Sequence, residues 1–166
     1  MNADPRRTPL NAPLSTWALD REIVLSRVID APRERVFQAW IDPQQIVQWF
    51  GPDGFEVESL ECDIRVGGRF RFNYTGPDGT RWGNRMVFLR IDPPRLIEME
   101  HGSDIDNNPA RFHATVTFEA QSNGKTVLTM RQLHPTKEQR DGGIGFGAVE
   151  YGYQTLGKPA RFLGVS

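Results

Sequence analysis

The sequence predicts an α+β domain, in which an antiparallel sheet of about seven strands is covered on one face by a C-terminal helix. Apolar residues follow a period of two from residue 55 to residue 133, and short turns rich in Gly, Pro, Asp and Asn interrupt this pattern. Helical periodicity is confined to a short stretch after the first strand and to the C-terminal segment. Because helices do not alternate with strands, a parallel doubly wound sheet is excluded.

Composition and charge narrow the class of protein. The chain has 166 residues, of which 38% are hydrophobic and 25% charged, so we expect one folded domain rather than a disordered chain. Sixteen Gly and twelve Pro indicate many tight turns. Twenty Lys and Arg balance twenty-one Asp and Glu, and no basic run is longer than Arg6-Arg7. A nucleic-acid partner is therefore not expected, because phosphate binding needs a concentrated basic surface.

The N-terminal segment differs from the rest of the chain. Residues 1–16 contain three prolines among polar residues and predict a flexible arm, which leaves residues 17–166 as a single domain. No stretch resembles a signal peptide, and no window approaches the roughly 18 apolar residues of a membrane span. Cys62 is the one cysteine and fits a reducing compartment. We therefore expect a cytoplasmic protein without membrane insertion.

The first elements are a strand and two short helices. Arg21–Asp30 is rich in Ile, Val and Leu and predicts a strand. Pro32 occupies a first helical position and is followed by apolar residues at helical spacing. Asp42 is predicted to cap a second helix that begins at Pro43, and Gln45 lies where a capping box would place an amide that bonds back to the backbone of Asp42. That helix is expected to stop at Gly51-Pro52.

Six further strands and a final helix complete the prediction. Consecutive strands joined by such short turns form an antiparallel meander. The predicted strands are Phe55–Ile64, Arg69–Thr75, Arg81–Ile91, Arg95–His101, Arg111–Gln121 and Lys125–Leu133. Thr136–Leu163 predicts a C-terminal helix, but four glycines between residues 142 and 147, together with Pro159, disfavour a continuous one. The segment is either a loop followed by a shorter helix, Val149–Lys158, or a helix bent at two places.

Six stretches of the chain occur in a characteristic order. They are Arg27–Trp40, Asp42-Pro43, Gln48–Pro52, Gly67–Phe72, Gly76–Gly79 and Asp92–Leu96. In this order they resemble the SRPBCC (START-like) superfamily, and within it the branch related to the activator of the heat-shock protein 90 ATPase. The resemblance spans roughly residues 20–163. It implies a helix-grip fold, in which a curved antiparallel sheet wraps around the C-terminal helix and leaves a deep, mostly apolar cavity.

The resemblance implies three kinds of function. Members bind hydrophobic small molecules or lipids, some are aromatic or polyketide cyclases, and others co-activate a chaperone ATPase. Our leading hypothesis is a carrier or sensor of a hydrophobic small molecule, with a role in stress as one setting, and the other two remain as alternatives. Eukaryotic chaperone activators carry an additional N-terminal domain that this sequence lacks, so a full co-chaperone role is not expected. A homodimer remains open.

The inward-facing side chains of the strands predict the lining of that cavity. Polar groups among them, such as His101, Asn84, Gln132 and the Tyr74 hydroxyl, would orient a ligand. Ordinary core packing is the favoured interpretation of His101, Trp49 and Trp82, whereas Gln132 fits either role equally. The predicted ligand-binding residues are Trp49, Phe72, Tyr74, Trp82, Asn84, Met86, Phe88, Met99, His101, Phe112, Met130, Gln132, Phe146 and Tyr151.

No catalytic, metal or cofactor motif stands out. The three histidines, His101, His113 and His134, lie on separate segments without metal-ligand spacing. No phosphate-binding loop or nucleophile elbow is present in the sequence. We therefore predict no catalytic residue, no metal and no cofactor. Acid–base catalysis by His101 with a Tyr or Glu partner stays open, because a cyclase needs little more than a shaped cavity and one proton shuttle.

The C-terminal segment departs from the family pattern. Members commonly carry a Gly-Trp pair there, whereas this chain has Gly152 near the usual Trp position and Pro159 where a Leu is expected. We expect a larger or differently shaped cavity, unless Tyr151 or Tyr153 fills the space that the Trp leaves. The glycines between residues 142 and 147 could act as a hinged lid.

Overall fold

The computed structural model describes residues 19–166. The predicted arm, residues 1–16, lies outside the described residues. Within residues 19–166, no helix is both long enough and apolar enough to cross a membrane. The described part opens with a short 3-10 turn, Leu19–Arg21.

The elements follow the predicted order. The strands are β1 (Glu22–Ile29), β2 (Glu56–Cys62), β3 (Arg69–Thr75), β4 (Arg81–Asp92), β5 (Leu96–Ser103), β6 (Phe112–Ala120) and β7 (Thr126–Leu133). The helices are α1 (Arg33–Ile41), α2 (Pro43–Trp49), α3 (Lys137–Gly145) and α4 (Ala148–Leu163). Among residues 19–166 there are thus seven strands and four α-helices, where the sequence predicted three.

All seven strands join one antiparallel sheet in the order β1-β7-β6-β5-β4-β3-β2. From β2 to β7 each strand pairs with the next one in sequence, whereas β1 pairs with β7. The two helices between β1 and β2 therefore carry the chain from one edge of the sheet to the other. The α+β fold with a curved antiparallel sheet and a long C-terminal helix is confirmed.

The start of α2 is capped as predicted, with one difference in the partner. Asp42 Oδ1 accepts a hydrogen bond of 2.9 Å from the backbone N–H of Gln44. The Gln45 amide does not return to the backbone of Asp42, because the Asp42 N–H already bonds to Gln38 O. Instead Gln45 Nε2 donates to Asp42 Oδ2 at 3.0 Å. Helix α2 ends at Trp49. Two residues later Gly51 has a φ of 114°, which only glycine adopts freely.

The C-terminal segment forms two helices, which corrects both alternatives drawn from the sequence. Thr136 caps α3, since its Oγ1 accepts from the N–H of Gln139 at 3.1 Å. Helix α3 ends at Gly145, and Phe146-Gly147 separate it from α4. Gly147 has a φ of 92°. Pro159 does not end α4. It is buried within the helix, which continues to Leu163.

Helix α4 lies close to β1, and its glycines permit that approach. A Cβ at Gly152 would overlap Leu25 Cδ1, and one at Gly157 would lie 2.5 Å from a guanidinium nitrogen of Arg27. Leu25 therefore takes up the space that a Trp near position 152 would need. Of the two tyrosines named as possible fillers of this space, Tyr151 lines the cavity and Tyr153 does not.

The inner face of the sheet has two halves along the strand direction. One half is filled by aromatic side chains of α1 and α2: Trp40 packs edge-on against Trp49 at 5.0 Å, and Phe37 against Phe118 at 5.0 Å. Beneath them Ile97, Val116 and Leu128 are fully buried. The other half lies under α4 and the loop after α2. Only the first half is filled by the core of the protein.

The outer face carries charged side chains that pair across strands. Asp104, at the end of β5, accepts hydrogen bonds from Arg71 at 2.9 Å and from Arg85 at 2.7 Å. Arg85 reaches Asp106 as well, at 2.6 Å. The arginines hold the pKa of Asp104 below its ordinary value. This network fixes the loop after β5 onto the sheet.

Candidate ligand-binding cavity

A cavity of about 680 Å³ lies between the inner face of the sheet and helix α4. The ends of β3 to β7 form its floor, and α4 with the break after α3 forms its roof. Its lining is mostly apolar or aromatic. The lining residues are Phe50, Pro52, Phe55, Tyr74, Trp82, Asn84, Met86, Met99, His101, Phe112, Ala114, Met130, Gln132, His134, Gly143, Phe146, Ala148, Tyr151, Gly152 and Thr155.

Three methionines form the deep part of the floor. Met86, Met99 and Met130 come from β4, β5 and β7 and are all buried. The pairing of strands places Met86 opposite His101, and Met130 opposite Val116 on β6. Flexible, polarizable thioethers adapt to ligands of different shape and pack well against aromatic rings.

The mouth of the cavity is surrounded by aromatic rings. Phe55 contacts Trp82 with ring centres 5.8 Å apart and Tyr151 at 5.5 Å. Phe146, at the break between α3 and α4, is 87% exposed even though its ring borders the cavity. The apolar lining therefore continues outward to the surface.

Two histidine–amide pairs supply the polar groups of the floor. His101 Nε2 lies 3.3 Å from Asn84 Oδ1, and His134 Nε2 lies 3.3 Å from Gln132 Oε1. The ring of Phe112 lies between the two imidazoles, with centres 5.1 Å from His101 and 4.8 Å from His134. The two pairs thus flank one aromatic ring on the cavity floor.

Burial shifts the titration of these groups. It lowers the pKa of His101 to about 4, so this imidazole is neutral at pH 7. Burial, with a smaller contribution from Arg140, also lowers the pKa of His134. Burial raises the pKa of the Tyr74 hydroxyl far above its usual value. None of the described residues that line the cavity therefore carries a charge at neutral pH.

The comparisons with known proteins place the chain in a family. A model of the family described as "Activator of Hsp90 ATPase homolog 1-like protein" matches residues 30–159. The chain belongs to this family. The matched segment begins directly after β1, ends within α4 and so includes every residue that lines the cavity. No curated protein matches the chain.

Solved structures show the same fold. A solution NMR structure of a protein from Arthrobacter aurescens is 24% identical, covers 90% of this chain and 89% of its own, and superposes with a TM-score of 0.79. A crystal structure of a protein from Chromobacterium violaceum is 27% identical. The match covers 85% of this chain and 95% of that protein, with a TM-score of 0.69. A third, from Mycobacterium smegmatis, is 21% identical, with 88% and 92% coverage and a TM-score of 0.76. The resemblance to the SRPBCC superfamily is confirmed.

Most of the residues predicted to bind a ligand meet in this cavity of the family fold. All fourteen lie within residues 19–166, and eleven of them line it. Trp49, Phe72 and Phe88 do not. Trp49 is buried under α1 and donates its indole N–H to Ala39 O at 3.0 Å, while Phe72 and Phe88 belong to the filled half of the sheet. The strand alternation identifies the inner face correctly for Phe72 and Phe88. Each lies two residues along its strand from a residue that does line the cavity, Tyr74 on β3 and Met86 on β4.

Several lining residues were missed by the sequence analysis. On α4, the small residues Ala148, Gly152 and Thr155 face the cavity. They are four and three positions apart, which is the spacing of one helix face, and this pattern could have identified them. His134 follows the last residue of β7 and continues its inward alternation from Gln132. Phe55 lies just before β2 and reaches the mouth from a loop, for which no periodic signal exists.

The structure gives no sign of a metal centre or reactive thiol in residues 19–166. No group of three or more His, Cys, Asp or Glu in that range could hold a metal ion. Cys62 lies on β2 outside the cavity, and burial raises the pKa of its thiol to about 11. It is therefore protonated and a poor nucleophile at neutral pH.

Proposed function

We propose that this protein binds a hydrophobic small molecule in the cavity between the sheet and α4, as a carrier or sensor. The observation that carries the proposal is the apolar space of about 680 Å³, which is within the usual range for small-molecule sites. Methionines and aromatic rings supply its walls, and two histidine–amide pairs provide a few orienting polar groups. Membership of the family supports the same function.

The energetics favour an occupant. Side chains of the core fill voids closely in ordinary domains, and unfilled apolar volume costs roughly 24 cal/mol per Å³ in cavity-forming variants. A ligand that fills this space recovers contacts with Met86, Met99 and Met130 that no side chain among the described residues supplies. It also covers the exposed ring of Phe146.

A thermal-shift screen tests the proposal. The panel contains long-chain alcohols, sterols and polycyclic aromatic compounds, and a compound that binds only the native state raises the melting temperature. Two variants, Ala114→Leu and Thr155→Leu, fill the cavity from the floor and from α4. Each is expected to reduce the rise in melting temperature, while circular dichroism shows that the fold is kept. If no compound stabilises the protein, or if both filled variants respond like the wild type, the proposal fails.

A second candidate is a cyclase-like enzyme that uses the same cavity. The observation in its favour is the neutral imidazole of His101 within an apolar environment, because a neutral imidazole can accept a proton from a bound substrate. A poly-β-carbonyl thioester is the test substrate, with products followed by mass spectrometry. Cyclisation that is lost in His101→Gln supports this candidate. Its absence in the wild type, or its persistence in the variant, contradicts it.

A further inference from the structure

We propose that the ligand of the cavity is uncharged and donates hydroxyl groups to Nδ1 of His101 and of His134. This inference rests on the proposed function and narrows it to one chemical class, that of apolar molecules carrying alcohol or phenol groups. It follows from the tautomers of the two histidines and from the uncharged lining.

The hydrogen bonds of Asn84 determine the tautomer of His101. Asn84 Nδ2 donates to the carbonyl of Trp82 at 3.1 Å, so the amide oxygen is the atom that faces His101. A carbonyl oxygen only accepts, and therefore Nε2 of His101 carries the hydrogen. In the neutral ring Nδ1 is then left as an acceptor. An acceptor on an apolar floor calls for a donor on the ligand.

His134 has the same arrangement on the other side of Phe112. Gln132 Nε2 lies 3.5 Å from Met130 Sδ, to which it donates, and its amide oxygen faces His134 Nε2 at 3.3 Å. Nε2 of His134 therefore donates, and its Nδ1 is the acceptor. Both histidines offer the same kind of atom, so a molecule with one or two hydroxyl groups complements the floor.

A carboxylate has no counterpart in the cavity. Moving an ionised carboxylate into an apolar site without a cation is strongly unfavourable, and both imidazoles are neutral. Arg140, which affects His134, bonds to Asp141 at 2.8 Å. Lys158 is directed to the carbonyl of Pro52 at 3.1 Å. Arg81 and Asp104 do not line the cavity but an adjoining depression, which shares Tyr74, Trp82 and Asn84 with it.

Three matched fluorescent probes test the inference. They are 1-pyrenebutanol, its methyl ether and 1-pyrenebutyrate, which share one apolar skeleton and differ in a donor hydroxyl, an acceptor-only ether and a carboxylate. At pH 7.5 we expect the alcohol to bind at least about tenfold more tightly than either of the others, which corresponds to about 1.4 kcal/mol. Fluorescence titration measures all three dissociation constants.

Variants of the three histidines link the preference to the proposed atoms. His101→Phe and His134→Phe keep a ring but remove the acceptor, so each is expected to reduce the preference for the alcohol over the ether. His113→Phe is the matched control, because His113 is on the outer face near Glu98. It should leave the preference unchanged.

A charge-introducing variant tests the second half of the inference. Gln132→Arg adds a cation to the floor and is expected to make the butyrate the preferred probe. Glu119→Arg adds the same group at an exposed site on β6 and should not. Equal binding of the three probes to the wild type, or tightest binding of the butyrate, overturns the inference and leaves the proposed function standing. Binding of none overturns the inference, and also the proposed function if no panel compound raises the melting temperature.

Discussion

His101 Nε2 lies 3.3 Å from Asn84 Oδ1, although the two residues are diagonal neighbours on β5 and β4 rather than a directly paired couple. Asn84 pairs with Ser103, and His101 with Met86. The diagonal contact directs the imidazole over the cavity floor and fixes which nitrogen bears the hydrogen. The polar chemistry of the cavity thus depends on a side-chain contact that the register of the sheet makes available.

Burial of His101 predicts a pH dependence of stability. Its pKa is about 4 in the folded protein and about 6.5 in an unfolded chain. The unfolded state therefore takes up a proton first, and stability falls as pH decreases from 6.5 towards 4. We expect the His101→Gln variant to lose less stability over this interval than the wild type, by up to about 3 kcal/mol. Urea unfolding at several pH values checks this.

An NMR titration of the imidazole gives an independent reading of the same prediction. The Cε1 proton of His101 should titrate near pH 4. A midpoint near 6.5 would mean that His101 is solvated, and would contradict its burial in the cavity floor.

The close approach of α4 to β1 predicts opposite effects of two glycine substitutions. Gly142→Ala should stabilise by up to about 1 kcal/mol, because a methyl group there has nothing within 4 Å and alanine favours helix. Gly152→Ala should destabilise by about 1–2 kcal/mol, because its methyl group overlaps Leu25. Chemical denaturation measures both. In a Leu25→Ala background the Gly152→Ala cost should vanish.

If Gly152→Ala stabilised the protein as much as Gly142→Ala does, the helix would not lie as close to β1 as described.

The arginine network on the outer face predicts a loss of stability at neutral pH that acid removes. Asp104→Asn should cost about 2 kcal/mol at pH 7, because the carboxylate accepts charged hydrogen bonds from Arg71 and Arg85. The pKa of Asp104 is lowered from its ordinary value of 3.8, so its contribution is present above that pH and is lost as pH falls further. The wild type and the variant should therefore converge as the pH falls further below 3.8.

The control for this prediction is Glu100→Gln, at an exposed site of β5, which should change stability by no more than about 0.5 kcal/mol. A constant difference between Asp104→Asn and the wild type from pH 7 to pH 2.5 would show that the carboxylate acts through packing rather than charge.

Exposure of Phe146 predicts a variant that affects binding without affecting the fold. Since its side chain is 87% exposed, Phe146→Ser should change stability by no more than about 0.5 kcal/mol. Its ring borders the cavity mouth, so the same variant should release 1-pyrenebutanol several-fold faster in stopped-flow measurements. Ile105→Ser, at a residue 61% exposed outside the cavity, should leave the release rate unchanged. Equal rates for both variants would exclude a role for Phe146.

The sequence predicts the faces of the strands better than the limits of the cavity along them. Alternation assigns Phe72 and Tyr74 to one face of β3, and both point inward. Only Tyr74 lines the cavity, because Phe50, which directly follows α2, covers Phe72 with ring centres 5.4 Å apart. A period of two carries no information about where along a strand a covering helix ends. In the same way, Met86 lines the cavity, whereas Phe88 on the same face of β4 lies in the core.

The C-terminal segment shows what local signals can and cannot predict. The glycines after residue 141 indicate a break, and the structure has one at Phe146-Gly147. The position of α4 over β1 depends on Gly152 meeting Leu25, a contact between residues 127 positions apart in the chain. No pattern in one segment reveals such a contact. Pro159, which disfavours helix by itself, is accommodated because tertiary packing outweighs local propensity.

The most direct test of the account uses the methionine methyl groups as reporters. Met86, Met99 and Met130 all line the cavity, whereas Ile29 is buried at the end of β1, outside the lining. On titration with 1-pyrenebutanol, ring currents should shift the three methionine methyl signals in ¹³C-labelled protein, and the Ile29 methyl signals should stay in place. Saturable binding that leaves all three methionine signals unmoved would contradict a ligand site between the sheet and α4.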